Sequence, residues 1–276
     1  MGLKRFILIS LILFLFANIT YSSDFRRRAS QASEEEIYKT EDDIKAEVIF
    51  GRSLSARILG RYPLYKDKDI TEYINLIGKG LAQYAGRPEI EFHFGILDTD
   101  TINAFSAPGG YIFITKGCLK EIEDEAELAG VLAHEIAHIV ERHIVKEINL
   151  RAPDESPLTG FASLIAGATG TAEAVFTTFV DKAYEILFER GYKIEDEFSS
   201  DRFSVSLLKL SGYDPYGLIR FLKRLNEKGK VKEIKGTHPG IVERIQGLKR
   251  FMEENQISGD DKKTRKERFY EKTGRK

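Results

Sequence analysis

The pentapeptide His134-Glu135-Ile136-Ala137-His138 constrains this chain more than any other feature. A helix turns about 100° per residue, so His134 and His138 fall on one face, one turn apart. Two imidazoles so placed can share a metal ion. Zinc accepts neutral histidine nitrogens at about 2.0–2.1 Å, and Glu135 stands where a carboxylate can take a proton from water at such a metal. A shuffled chain of this composition would contain the pattern on the order of once in a hundred, so its surroundings matter. Val131, Leu132, Ile136, Ile139 and Val140 supply an apolar stripe, and Ala133 and Ala137 permit close packing. The motif therefore belongs to a buried helix, where a histidine pair without a partner would be costly.

The first residues have the three-part form of a secretory signal: Lys4 and Arg5, an apolar run from Phe6 to about Ala17, then Thr20, Ser22 and Ser23. Residues 1–22 are read as a signal peptide, which implies the periplasm or another exported location. The alternative is an uncleaved membrane anchor, although the run is shorter than the roughly 20 apolar residues that span a bilayer. Residues 23–39, with Arg26-Arg27-Arg28 and Glu34-Glu35-Glu36, read as a linker, and 40–255 as one domain. Residues 256–276 read as a solvated basic tail capable of contact with a membrane surface. Across the chain, 42 Lys plus Arg stand against 43 Asp plus Glu, which argues against a nucleic-acid partner. Cys118 is the only cysteine, so no intrachain disulfide exists, and it reads as a buried, inert thiol.

Helical spacing over 42–59 and 70–84 gives two scaffold helices. Alternation between Ile90 and Thr115, interrupted by Pro108-Gly109-Gly110, gives a small antiparallel sheet ending in a hairpin, with His93 at its surface. One long helix is expected from about Asp124 to Ile148. On it His143 lies about 140° around from His138 and points away from any shared metal. Strands in front and helices behind make the chain α+β and mainly helical. Residues 158–180 carry a single charge, Glu173, and many small residues. They read as packed or lid-forming helices, ahead of membrane-surface contact or a span.

A catalytic zinc needs a third protein ligand and an open position. Ile144 occupies the place of the third histidine in one familiar pattern, with Glu141 where that pattern needs glycine, and Pro157 and Leu158 occupy the places of glutamate in two others. Glu197 and Asp201 remain, at i and i+4 on a helical segment. Either Glu197 completes the ligand set while Asp201 accepts a zinc histidine's ring N–H, or both belong to an exposed acidic helix start. In the second case Glu185 and Glu189 are the reserve ligands.

Four blocks then carry a resemblance. They are Asn103-Ala104-Phe105 with Pro108-Gly109-Gly110-Tyr111, the His134 to His138 motif, Glu197 with Asp201-Arg202, and Thr237-His238-Pro239 followed by Arg244. In this order the chain resembles the zinc endopeptidases that include HtpX, the CAAX prenyl proteases and the periplasmic BepA- and LoiP-like proteins, in a short form without a helical-repeat domain. Ser200 departs from the alanine usual before the aspartate. The resemblance implies a zincin-like domain with a central metal-binding helix. It implies one Zn2+ per chain on His134, His138 and Glu197, Glu135 as general base and His238 as an oxyanion donor. Asp201 and Arg244 would support the ligands, and the strand at Asn103, Ala104 and Phe105 would bind substrate. Unfolded or misfolded envelope proteins are the implied substrates, and a non-proteolytic zinc-containing chaperone or adaptor is the alternative.

Overall fold

The computed structural model describes residues 41–148, 170–230, 237–238 and 240–275. The signal-peptide and linker readings lie outside these residues, as does the first half of the low-charge stretch. Helix α1 (Glu41–Arg61) and helix α2 (Lys68–Ala82) follow the expected spacing. Asp67 caps α2 by accepting from the Ile70 N–H at 3.1 Å, and Tyr73, Ile74, Ile77 and Leu81 form its buried stripe.

Strands β1 (His93–Leu97), β2 (Ala104–Ala107) and β3 (Tyr111–Thr115) form one sheet in the order β1-β3-β2. β2 and β3 make the expected antiparallel hairpin, but β1 runs parallel to β3, so the sheet is mixed rather than antiparallel. The connection from β1 crosses to the far side of β3 and is fastened there. Thr115 Oγ1 donates to the Thr101 carbonyl at 2.6 Å, and a Cβ on Gly117 would come within 2.2 Å of the Asp100 carbonyl. Alternation reveals strands but not which edge each one takes. The hairpin turn needs its glycines twice over. Gly109 and Gly110 have φ of 75° and 97°, and a Cβ on Gly110 would meet the Glu91 carbonyl at 2.2 Å. His93 is exposed, as read.

After the short helix α3 (Lys116–Glu121) comes α4 (Glu125–Val140), the motif helix, whose residues are buried from Glu125 to Ile139. Asp124 caps it through the Glu127 N–H at 2.8 Å. The expected continuous helix to Ile148 is broken. α4 ends at Val140, Arg142 adopts a left-handed φ of 58°, and a separate helix α5 (His143–Glu147) follows. Tertiary contacts impose the break: buried Arg87 donates to the Ile139 carbonyl at 3.3 Å, and Arg142 lies 3.3 Å from buried Glu47 of α1.

Helix α6 (Gly170–Glu185) runs into a π-helical turn (Ile186–Arg190), then helix α7 (Ile194–Leu210) and helix α8 (Gly217–Glu227). Phe176 of α6 packs edge-on against Phe50 at 6.0 Å. No described helix is long and apolar enough to cross a membrane. α8 approaches α4 backbone to backbone, since a Cβ on Gly217 would lie 2.0 Å from the Ala126 carbonyl and one on Gly130 2.6 Å from the Leu218 nitrogen. Arg220 to Asp124 at 2.9 Å and Arg224 to Glu127 at 2.7 Å lock the pair.

Helix α9 (Ile241–Glu254), a 3-10 turn (Asp261–Lys263) and helix α10 (Lys266–Thr273) complete the described chain. The reading of a solvated basic tail is corrected here. Phe269 is fully buried, Arg268 and Arg265 pair with Glu125, and Arg275 donates to the Ile122 and Leu119 carbonyls. Buried Glu125 at the start of α4 also accepts from Tyr73 at 2.6 Å and Tyr213 at 2.8 Å. These arginines pair with a buried carboxylate and with carbonyls at the end of α3, while Lys262, Lys263, Lys266 and Lys272 stay exposed.

Candidate metal centre

His134, His138, Glu197 and His238 bring one ligand atom each to within 4.8 Å of one another, and all four are buried. The motif histidines face each other through Nε2 at 3.1 Å. Glu197, from the first turn of α7, places Oε2 at 3.4 Å from His134 Nε2 and Oε1 at 3.7 Å from His138 Nε2. Two nitrogens bound tetrahedrally at zinc distances lie about 3.3 Å apart, so this spacing fits one ion. The donor set, two imidazoles and a carboxylate, suits zinc as well. A second sign of fit is Glu135, whose Oε2 is buried without a hydrogen-bond partner beside the histidines.

The alternative of an exposed acidic helix start is excluded by burial, because Glu197 is 0% and Asp201 2% exposed. Glu185 and Glu189 are exposed and stand outside the cluster. Asp201 Oδ1 lies 3.1 Å from His134 Nδ1. Arg244 of α9 spans both carboxylates, reaching Asp201 at 2.6 and 2.8 Å and Glu197 at 2.5 Å. Burial works against ionising Glu197, but Arg244 and then His238 hold its carboxyl well below the usual range. Burial, with the neighbouring His134, drives His138 well below the usual imidazole range and so keeps it neutral. For His134, burial and Arg244 are outweighed by Asp201 and Glu197, and the ring is pushed up to about 9.

His238 Nδ1 lies 3.1 Å from Glu197 Oε1, and its Nε2 lies 3.3 Å from the Ala104 carbonyl and 3.7 Å from Glu135. Asn103 Nδ2 donates to Thr237 at 2.9 Å and its side-chain Oδ1 accepts from the Ala104 N–H at 2.9 Å. Asn103 and Ala104 thus join the site. The Phe105 side chain does not, since it stacks on Phe188 at 4.3 Å in a separate core with α1 and the π-helical turn. β2 is an edge strand. Because the Asn103 carbonyl accepts from Thr115 and Phe105 faces Phe113, the main chain of Ala104 and Ser106 turns away from β3.

Two residues were missed in sequence. His143, read as pointing away from the metal and packed or solvated, is 3% exposed and stands outside the ligand cluster, but the break at Arg142 sets its Nδ1 2.8 Å from His138 Nδ1, a contact that the spacing does not show. No glycine or proline announces that break. Tyr192 stacks on His138 with ring centroids 4.0 Å apart and planes 17° from parallel. Its only local signal is Gly191, which marks a turn before α7.

Residues 69–252 match the family described as peptidase family M48. The beta-barrel assembly-enhancing protease of Escherichia coli strain K12 is 27% identical over 216 residues, covering 71% of this chain and 42% of that protein. The mitochondrial metalloendopeptidase OMA1 of Schizosaccharomyces pombe is 25% identical over 240 residues, covering 86% of this chain and 64% of that protein. The family match takes in the motif helix, Glu197, Asp201, His238 and Arg244 and extends over more than half of the sequence: the chain belongs to peptidase family M48.

Proposed function

We propose that this chain is a zinc-dependent endopeptidase acting on extended, unfolded polypeptides outside the cytoplasm. One observation carries the reading: Glu197 comes from a distant helix to meet His134 and His138, while an oxygen of Glu135 stays buried beside them without a partner. His134, His138 and Glu197 would hold one Zn2+, which when bound polarises water and a peptide carbonyl.

Glu135 takes the proton of the attacking water on its unpartnered oxygen and returns it to the leaving amine, so no covalent enzyme intermediate is required. His238 donates through Nε2 to the oxyanion that develops on the peptide, a kind of contact whose removal costs about 3–4 kcal/mol of transition-state stabilisation. Asp201 holds His134 in the tautomer whose Nε2 is free, and Arg244 keeps both carboxylates ionised and oriented. An extended peptide pairing along the edge of β2, in exchange for the contacts that Ala104 makes with Asn103 and His238, would be held whatever its side chains. Only unfolded chain lies flat along such an edge, which favours misfolded envelope proteins as substrates. The exported location rests on the apolar N-terminal run with its flanking charges.

A zinc-containing adaptor that holds unfolded segments without cutting them would need the same cluster but not Glu135. Cleavage of unfolded casein by the purified chain and by Glu135→Gln separates the two. The substitution is expected to retain zinc and lower turnover about 100-fold to 10,000-fold. Zinc retention with equal cleavage by both proteins would remove Glu135 from the mechanism.

A further inference from the structure

Glu47 of α1 is 1% exposed, and its two carboxylate oxygens reach three other parts of the chain. Oε1 accepts from the Gly109 N–H of the hairpin turn at 3.3 Å. Oε2 accepts from Arg87 at 3.1 Å and lies 3.3 Å from Nε of Arg142. Arg87 also donates to the Ile139 carbonyl, in the last turn of the motif helix. An ion this deeply buried is stable only with its partners held against it, and they are held by it in turn.

These contacts have little slack. A Cβ on Gly51 would lie 1.6 Å from the Pro108 carbonyl and one on Gly109 2.6 Å from the Val48 Cα, so α1 meets the hairpin turn backbone to backbone. That turn joins β2 to β3, which pair from Ala104 with Ile114 to Ala107 with Tyr111. Its place therefore sets where the edge of β2 lies relative to the histidines. On the other side, Arg142 occupies the left-handed break that brings His143 Nδ1 to 2.8 Å from His138 Nδ1. Glu47, Ser106, Pro108, His138, Arg142 and Tyr192 border one small cavity, so the carboxylate, β2 and a motif histidine converge there. The stretch matched to the peptidase family begins at residue 69, after α1.

We propose that Glu47 is a positioning residue for both halves of the site. Through Gly109 it sets the peptide-pairing edge of β2, and through Arg87 and Arg142 it sets the end of the motif helix and hence His138. The proposal rests on the reading of His138 as a zinc ligand and of β2 as the edge that receives substrate.

Glu47→Gln keeps the shape but has one acceptor oxygen, which cannot serve both Gly109 and the two arginines. Arg142→Met cuts the arm toward His143 and leaves Gly109 its partner. Zinc affinity is read by competition with a chromogenic chelator. Binding of fluorescein-labelled unfolded casein is read by anisotropy at saturating zinc, in chains that also carry Glu135→Gln. Glu47→Gln is expected to weaken zinc about 10-fold to 100-fold and casein about tenfold. Arg142→Met is expected to weaken zinc alone. Arg268→Ala, which loosens the remote C-terminal helix, should change neither constant and serves as the control for stability. Wild-type zinc and casein constants in folded Glu47→Gln, with only a lowered melting midpoint, would overturn the proposal. Should Glu47→Gln fail to fold, Arg142→Met decides: weakened zinc supports the relay to His138, and unchanged zinc overturns it. The expected pattern together with casein left uncut by the wild-type chain would keep Glu47 in its role and remove the peptidase reading.

Discussion

Nδ1 of His138 lies 2.8 Å from Nδ1 of His143, and Nε2 of His143 lies 3.0 Å from the Glu141 carboxylate. Only one proton fits between the two Nδ1 atoms. With a single proton on His143, held at Nε2 by the carboxylate, its Nδ1 carries a lone pair and accepts from His138 Nδ1–H. His138 Nε2 is then left as a lone pair facing His134 and Glu197. Asp201 does for His134 directly what Glu141 does for His138 through a second imidazole.

Loss of that acceptor loosens the tautomer rather than the fold. His143→Phe is expected to weaken zinc binding about 10-fold to 100-fold, the range seen when such outer partners are removed. His143→Gln, which keeps an acceptor oxygen, should recover most of it. Competition with a chromogenic chelator measures both, and equal losses would mean that His143 only fills space.

The C-terminal helix makes a pH-dependent contribution through Glu125. Burial raises the pKa of this carboxyl, but hydrogen bonds from Arg268, Tyr73 and Tyr213 outweigh it and leave the group below its ordinary value of 4.5. A depressed folded-state pKa gives stability that is complete above the unfolded value and lost as pH falls through the folded one. Arg268→Ala is therefore expected to cost about 1–2 kcal/mol at neutral pH, a modest figure because Arg268 is half exposed. The gap to wild type should close as pH drops below 4.5. Urea unfolding across pH checks this, and a gap that stays constant would detach the effect from Glu125.

Gly217→Ala forces a methyl group to within 2.0 Å of the Ala126 carbonyl, so α8 must move off the motif helix. The expected loss is about 1–3 kcal/mol, read as a lowered melting midpoint. Gly80 of α2 is the control, because a Cβ there meets nothing within 4 Å. Gly80→Ala should stabilise by about 0.4–1 kcal/mol, chiefly by restricting the unfolded chain.

The parts of the site that are legible in sequence are those fixed by helical spacing. His134 with His138 and Glu197 with Asp201 are each one turn apart, and a spacing of that kind survives any packing of the helices that carry it. The Ala104 to Tyr111 hairpin is legible through its glycines. What sequence does not announce depends on distant partners. The α4 break is set by Arg87 and Glu47, the placement of β1 by the Thr115 crossover contacts, and the docking of α10 by Glu125. Phe105 shows the same limit within one strand, since its side chain joins the core with α1 while the main-chain carbonyl of its neighbour Ala104 meets His238.

Metal removal tests the ligand set without reference to turnover. In the metal-free site a buried carboxylate, Glu197, is balanced by Arg244 and His238, while His138 is held neutral and facing it. An ion bound by the folded chain alone adds RT ln(1 + [M]/Kd) to stability, about 2.7 kcal/mol at a hundredfold excess over Kd. For a chain of this size that corresponds to a rise of roughly 5–10 °C in the melting midpoint. Zinc added back after chelation should produce this rise in wild type and in Glu135→Gln, whose substituted residue is no ligand. Glu197→Gln, which removes the anionic oxygen while keeping the shape, should respond weakly or not at all. The opposite order, with Glu197→Gln responding and Glu135→Gln silent, would exchange the roles of the two glutamates and with them the source of the base.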